Sequence, residues 1–148
     1  PKVVVMYETM WGATEKMARK IVEGIIDTGV SVKLYDVPLT DRSEMVKEML
    51  DAKGFIFGSS THDNDMLPNI AGFLEFVKGL LPKNRIACVF GSCGWAGGAL
   101  KEIEGVLKQA GIEMVMPGLS LKYVPDEFEK NECYNFGKEF AAKVKGGK

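Results

Sequence analysis

The chain has 148 residues, of which 46% are hydrophobic and 26% charged, and its formal net charge is −1. This length suits one domain with a single core, and the balanced charge argues against nucleic acid or an anionic membrane as a partner. We expect neither a membrane span, which needs roughly 20 apolar residues, nor a signal peptide. The cysteines Cys88, Cys93 and Cys133 form no C-x-x-C pair, so a disulfide scaffold or a four-thiolate iron–sulfur cluster is disfavoured and a reducing, cytoplasmic setting is expected.

Five short apolar runs alternate with amphipathic segments along the chain. The runs are continuous and rich in Val, Ile and Phe, which is typical of strands buried on both faces of a sheet. They predict strands at Val3–Tyr7, Val30–Tyr35, Gly54–Ser59, Ile86–Gly91 and, as the fifth, Glu113–Met116 with Leu119–Val124. Helical periodicity predicts helices over Thr14–Thr28, Asp41–Leu50, Asn69–Leu80, Gly98–Ala110 and Asp126–Val144. Asp41 and Glu44 have the spacing of a capping box.

This alternation predicts an α/β domain with a parallel sheet, helices on both faces and right-handed crossovers. The chain contains no internal repeat or low-complexity linker, so residues 1–148 are expected to form one domain. In such sheets, ligands bind beyond the carboxyl ends of the strands at the topological switch point. The loops after the first, third and fourth strands are therefore the candidate site.

The loop after the first strand reads Thr9-Met10-Trp11-Gly12-Ala13-Thr14 and leads into a helix. A helix N-terminus favours a phosphate through its unsatisfied N–H groups and its dipole. Gly12 would let the backbone approach the anion, and the hydroxyls of Thr9 and Thr14 would donate to it. The alternative is that Thr14 only caps the helix. The loop has neither a G-x-G-x-x-G fingerprint nor the Gly-Lys-Ser/Thr of a P-loop.

The other two loops supply groups suited to a planar ligand. The third strand is followed by a long polar segment that includes Ser60-Thr61-His62-Asp63-Asn64-Asp65. His62 is the only histidine, which excludes a multi-histidine metal site, and a solvated loop histidine is the alternative. The fourth strand is followed by Ser92-Cys93-Gly94-Trp95-Ala96-Gly97-Gly98. A tryptophan among glycines favours a lid over a flat ring, the alternative being a core tryptophan.

These loops resemble those of the flavodoxin family, and most of all those of the flavodoxin-like domain of flavodiiron (A-type) proteins. The resemblance extends over essentially the whole chain. Flavodoxins carry T/S-x-T-G-x-T in the first loop; here Trp11 replaces the third-position hydroxyl, as in the "TMWG" loops of flavodiiron proteins. The stretch FGSCGWAGGA, Phe90 to Ala99, is the most specific signal. The resemblance implies a flavodoxin-like three-layer αβα sandwich with a five-stranded parallel sheet of order 2-1-3-4-5.

The cofactor that the resemblance implies is FMN. The first loop would wrap the FMN phosphate with Ser60 and Ser92 nearby, His62 would lie on the inner face of the flavin, and Trp95 would stack on the outer face. The predicted cofactor-binding residues are Thr9, Met10, Trp11, Gly12, Ala13, Thr14, Ser60, Thr61, His62, Asp63, Asn64, Asp65, Ser92, Cys93, Gly94, Trp95, Gly97 and Gly98.

The resemblance implies electron transfer through the flavin semiquinone and hydroquinone, by a carrier or a redox domain that is not catalytic alone. It implies redox protein partners: a rubredoxin-type donor, or a flavodiiron catalytic domain that reduces oxygen or nitric oxide. Negative charge from Glu8, Asp63 and Asp65 is expected to oppose full reduction. The alternatives are an FMN-dependent NAD(P)H:quinone reductase and a response-regulator receiver, which needs an aspartate where the third strand ends in Ser59-Ser60.

Overall fold

The structure is a computed structural model that describes residues 1–62, 65–80, 84–93, 98–122 and 124–146. Its strands are β1 (Lys2–Glu8), β2 (Ser31–Asp36), β3 (Gly54–His62), β4 (Asp65–Met66), β5 (Ile86–Cys93), β6 (Glu113–Met114) and β7 (Leu119–Lys122). Its α-helices are α1 (Ala13–Ile26), α2 (Arg42–Asp51), α3 (Pro68–Leu80), α4 (Ala99–Gln109) and α5 (Glu127–Lys145). A 3₁₀ turn, Val37–Leu39, links β2 to α2.

The sheet confirms the predicted topology. Its order is β2-β1-β3-β5-β6, and all pairs along this path are parallel. The predicted fifth strand is divided into two, because β6 pairs with the start of β5 and β7 pairs with its end. Pro117 and Gly118 separate the two parts, and proline has no N–H to donate to a ladder. A Cβ at Gly118 would lie 2.9 Å from a Val89 methyl carbon, so only glycine fits this close approach.

The segment after the third strand is more regular than its polar sequence predicts. β3 continues to His62, and β4 pairs with it in an antiparallel hairpin through Thr61↔Met66 and His62↔Asp65. The Ser59 hydroxyl accepts a hydrogen bond from the Leu67 amide at 3.0 Å. This bond stabilises the hairpin, whereas the sequence predicted a loop for this segment.

Two apolar layers cover the sheet. Alternate residues of β1 point to opposite faces: Val3 and Val5 pack in the layer with α1 and α5, whereas Val4 and Met6 pack in the layer with α2, α3 and α4. These layers fix the carboxyl ends of the buried strands at one edge of the sheet.

One predicted cap is wrong. The Asp41 side chain makes no capping bond to α2 and instead accepts from the Ser43 hydroxyl at 2.9 Å. A capping box does form at α5, where Asp126 accepts from the Glu129 amide at 2.8 Å and the Glu129 carboxylate accepts from the Asp126 amide at 3.1 Å. Acid at the N-cap and N3 positions suited both helices, so sequence alone did not distinguish them.

Candidate functional site

A cavity of about 390 Å³ opens at the carboxyl ends of the strands, at the predicted edge. β1 leads to β2 on one side and β3 pairs on its other side, so the cavity lies at the topological switch point. Its walls are mostly apolar with a few hydroxyls, as is usual for a small-molecule site. The described residues that line it are Met10, Trp11, Ala13, Ser60, Thr61, Ser92, Cys93 and Val124.

The first loop forms a tight turn into α1. Gly12 is the N-cap of the helix at φ 90°, a conformation that favours glycine. The Gly12 amide donates to the Thr9 hydroxyl at 2.9 Å, which closes the turn. The first intrahelical bond runs from the Lys16 amide to the Gly12 carbonyl, so the amides before Lys16 occupy the positions that a helix leaves for an anionic ligand.

Three buried hydroxyls meet beneath this turn, and we call Thr14, Ser60 and Ser92 the hydroxyl cluster. The Thr14 Oγ1 lies 2.8 Å from the Ser60 Oγ and 2.7 Å from the Ser92 Oγ, and the two serine oxygens are 3.4 Å apart. Ser60 and Ser92 are opposite each other in the β3–β5 ladder. Thr14 is fully buried. The alternative interpretation of Thr14 as the helix cap is wrong, because Gly12 is the N-cap of α1 and the Thr14 hydroxyl bonds to the two serines.

The cluster and the turn suit a phosphate monoester attached to a planar group. Each hydroxyl has a rotatable proton and can donate either to a neighbour or to an anion. The Met10 amide already donates to the Ser60 Oγ at 3.2 Å, which leaves the Ser60 proton available to another acceptor. Met10, Ala13 and Val124 provide apolar surface beside these donors. The lining thus combines hydroxyl groups with apolar side chains.

Glu8, at the end of β1, is bound to the start of α3. Its carboxylate is buried and accepts hydrogen bonds from the Ile70 amide at 2.8 Å and the Asn69 side-chain amide at 2.7 Å. These donors belong to the first turn of α3, where the positive end of the helix dipole favours an anion. These bonds give Glu8 a structural role at the start of α3, and its expected effect on the reduction of a bound ligand stays a prediction.

Two titratable groups lie behind the first loop. Burial, together with the negative charge of Asp36, raises the pKa of Tyr7 from its ordinary value of 10.0 to about 12. Burial also raises the pKa of Asp36, and the charges of Glu15 and Glu8 add to this effect. Tyr7 therefore remains a neutral phenol that donates to Asp36.

The structure places the predicted site residues in three groups. Seven line the cavity, and the missed lining residue is Val124, a half-exposed apolar residue that has no motif to identify it. A second group lies next to the lining residues: Thr9 and Gly12 form the turn, and Thr14 belongs to the hydroxyl cluster. His62 and Asp65 pair in the hairpin, and Gly98 is the N-cap of α4. Outside the described residues lie the predictions for Asp63, Asn64, Gly94, Trp95 and Gly97.

Within the described ranges, no helix is long and apolar enough to cross a membrane. In the same part of the chain, no group of three or more His, Cys, Asp and Glu side chains is arranged to hold a metal ion.

The chain is an α/β domain with a cavity at its switch point, where hydroxyl groups and a helix N-terminus are suited to a phosphorylated ligand. Residues 5–137 match the family model described as flavodoxin, and the chain belongs to the flavodoxin family. It is an FMN-binding electron-transfer domain, as predicted, and its near relatives are flavodiiron proteins.

The relatives are mostly longer than this chain. It is 41% identical over 144 residues to nitric oxide reductase of Moorella thermoacetica, covering 97% of this chain and 36% of the relative. The solved rubredoxin oxygen:oxidoreductase of Desulfovibrio gigas is similar with a TM-score of 0.94 and 37% identity, over 99% of this chain and 36% of that one. A flavodoxin from the domain Archaea has a TM-score of 0.90 and 29% identity, over 98% and 99%. The chain spans about a third of the first two proteins and nearly all of the flavodoxin.

Proposed function

We propose that this chain holds FMN in the edge cavity and passes electrons from a redox protein donor to a diiron unit that reduces nitric oxide or oxygen. The observation that carries the site assignment is the hydroxyl cluster beneath a glycine-capped helix N-terminus, because its members Ser60 and Ser92 line the cavity. FMN, when bound, supplies one- and two-electron redox chemistry, and the protein positions it and sets its potentials.

The phosphate lies, in this proposal, at the N-terminus of α1. The amides of Ala13 and Thr14 and hydroxyls of the cluster would donate to it, and no lysine or arginine of the described residues lines the cavity. Neutral donors at a helix N-terminus are sufficient for an anion because the helix dipole adds to their hydrogen bonds. The Thr9 hydroxyl is already an acceptor for Gly12 and holds the turn in its binding shape.

The apolar residues of the cavity would contact the flavin ring. Met10 and Val124 are partly exposed there, and Trp11, which is 86% exposed, stands at the rim. Apolar side chains on the rim exclude water from the ring and leave its edge open to a redox partner. His62, Asp63, Asn64, Asp65, Gly94, Trp95, Gly97 and Gly98 complete the proposed cofactor site on the basis of the sequence resemblance alone.

The proposed partners follow from the relatives. Names such as nitric oxide reductase, rubredoxin-oxygen oxidoreductase and flavodiiron protein describe proteins about a third of whose length corresponds to this chain. A rubredoxin-type donor and a diiron catalytic domain are the partners that we propose for this chain. Its net charge of −1 suits a partner that is attached or paired, because little long-range steering is available.

The test starts from the ligand. The protein is purified, any bound flavin is released by heat and weighed, and the apoprotein is titrated with FMN, riboflavin and FAD. We expect one FMN per chain and a preference for FMN over both other flavins. A colourless protein that ignores added FMN would refute the proposal.

The second step tests electron transfer without a metal centre. The FMN-loaded, metal-free chain should accept electrons from a reduced rubredoxin, which is monitored by flavin absorbance, and should not turn over nitric oxide. Sustained nitric oxide consumption by the metal-free chain would contradict the assignment of catalysis to a separate diiron unit.

A further inference from the structure

The first turn of α4 holds the β3–β4 hairpin by two hydrogen bonds. The Met66 amide donates to the Glu102 Oε1 at 2.8 Å, and the Ala99 amide donates to the Thr61 Oγ1 at 3.4 Å. Thr61 and Met66 are directly opposite each other in the hairpin, and Thr61 lines the edge cavity. A carboxylate outside the cavity is thus connected to the cavity wall through a single pair of residues.

The hairpin depends on such side-chain bonds because its own ladder is short. β4 contributes only two residues, and an isolated two-stranded hairpin is marginally stable in water. The amides of Met66 and Leu67 are each held by a side chain, Met66 by Glu102 and Leu67 by Ser59. The bond to Glu102 joins an N–H to a charged acceptor and is the stronger type.

We propose that Glu102 is a positioning residue for the ring of FMN, acting through Met66 and Thr61; this rests on the proposed function. Thr61 lies one residue beyond Ser60 on β3 and is not part of the hydroxyl cluster. Loss of the Glu102 bond therefore alters the wall beside the ring and leaves the phosphate donors in place. FMN and riboflavin share that ring, so both should respond equally.

Three variants separate the hydrogen bond from the charge. Glu102→Ala removes the acceptor, Glu102→Gln retains an amide oxygen that can accept from Met66, and Glu104→Ala removes a carboxylate from the same helix as a matched control. Glu102→Ala and Glu102→Gln change the net charge equally. A difference between these two variants therefore reports the bond.

We expect Glu102→Ala to weaken FMN and riboflavin by the same factor, roughly 3- to 10-fold, as for a lost hydrogen bond. It should also shift the flavin midpoint potential and speed hydrogen exchange of the Met66 amide in the apoprotein. Glu102→Gln should recover most of each property, and Glu104→Ala should match the wild type.

The inference would be overturned if Glu102→Ala kept the flavin affinities and the midpoint potential of the wild type. It would also be overturned if Glu102→Ala lost affinity for FMN alone, or if Glu102→Gln lost as much affinity as Glu102→Ala. The failure of the proposed function looks different, because the wild-type chain would then bind neither flavin. Met66 exchange in the apoprotein, which needs no flavin, reports whether the anchoring bond itself exists.

Discussion

Replacing Thr14 by valine tests most directly whether the phosphate of FMN binds at the hydroxyl cluster. Valine has nearly the shape of threonine, so the substitution removes the hydroxyl from a fully buried position without opening a cavity. The variant loses the bonds of 2.8 Å to Ser60 and 2.7 Å to Ser92. The two serine hydroxyls, now 3.4 Å apart, can still bond to each other.

The structure gives separate magnitudes for stability and binding. Because two bonds are lost and one can be strengthened, the apoprotein should lose about 1 kcal/mol of unfolding free energy. FMN should lose one charge-assisted bond, worth roughly 1.5–3 kcal/mol, which is about 10- to 150-fold in Kd. Riboflavin has no phosphate and should lose much less.

The assay is a titration of apoprotein with FMN and with riboflavin, followed by flavin fluorescence, together with urea unfolding of the apoprotein. Thr28→Val is the matched control, since that hydroxyl donates to the Ile25 carbonyl at the far end of α1 and is remote from the cavity. Equal losses of FMN and riboflavin in Thr14→Val would show that Thr14 only packs the turn. Unchanged affinity for both flavins would place the phosphate elsewhere.

Three further predictions concern a buried carboxylate, two helix glycines and the cysteines. Glu8→Ala should lower the unfolding free energy by about 2–3 kcal/mol in urea, because the Ile70 amide and the Asn69 amide lose a buried charged acceptor, and Glu8→Gln should cost less; equal, negligible costs would contradict the cap. Gly137→Ala should lower the unfolding free energy by about 1–3 kcal/mol, because the new Cβ would lie 2.1 Å from the Ile21 carbonyl oxygen. At Gly105 a new Cβ would meet no described atom within 4 Å, so Gly105→Ala should stabilise α4 by roughly 0.5–1 kcal/mol. In a thiol-labelling assay of the apoprotein, Cys93 should react, and added FMN should slow its reaction because Cys93 lines the cavity. Cys88 and Cys133 should react only on unfolding, since both are buried and burial raises the pKa of Cys133 to about 12. Rapid labelling of all three cysteines would refute this prediction.

The sheet order was predictable because its signals are local. Continuous apolar runs mark strands buried on both faces, and the right-handed crossover rule leaves few ways to arrange them. The hairpin β3–β4 was not predictable in this way. Its residues are polar and its stability comes from the Ser59 and Glu102 side chains, which approach Leu67 and Met66 only in the folded chain.

Some contacts of the candidate site could be predicted from the sequence, and others could not. Gly12 and Thr9 interact across three positions, so the turn was readable from the motif. Thr14 meets Ser60 and Ser92 across 46 and 78 positions, and those contacts depend on the register that sets Ser60 opposite Ser92. A slip of one residue would turn either serine to the other face of the sheet.

The same dependence on register explains why the bonds of Glu8 to α3 were not predicted from the sequence. An acid at the end of the first strand, beside the candidate loops, looks like a charge directed at the ligand. The pairing of Glu8 with Ser59 brings it to the start of α3 instead, where a main-chain amide and a side-chain amide satisfy both carboxylate oxygens. A buried carboxylate needs such donors more than an exposed one does, because desolvation makes an unpaired charge costly. The burial of Glu8, which the sequence does not show, therefore gives this carboxylate a structural role as an acceptor for the first turn of α3.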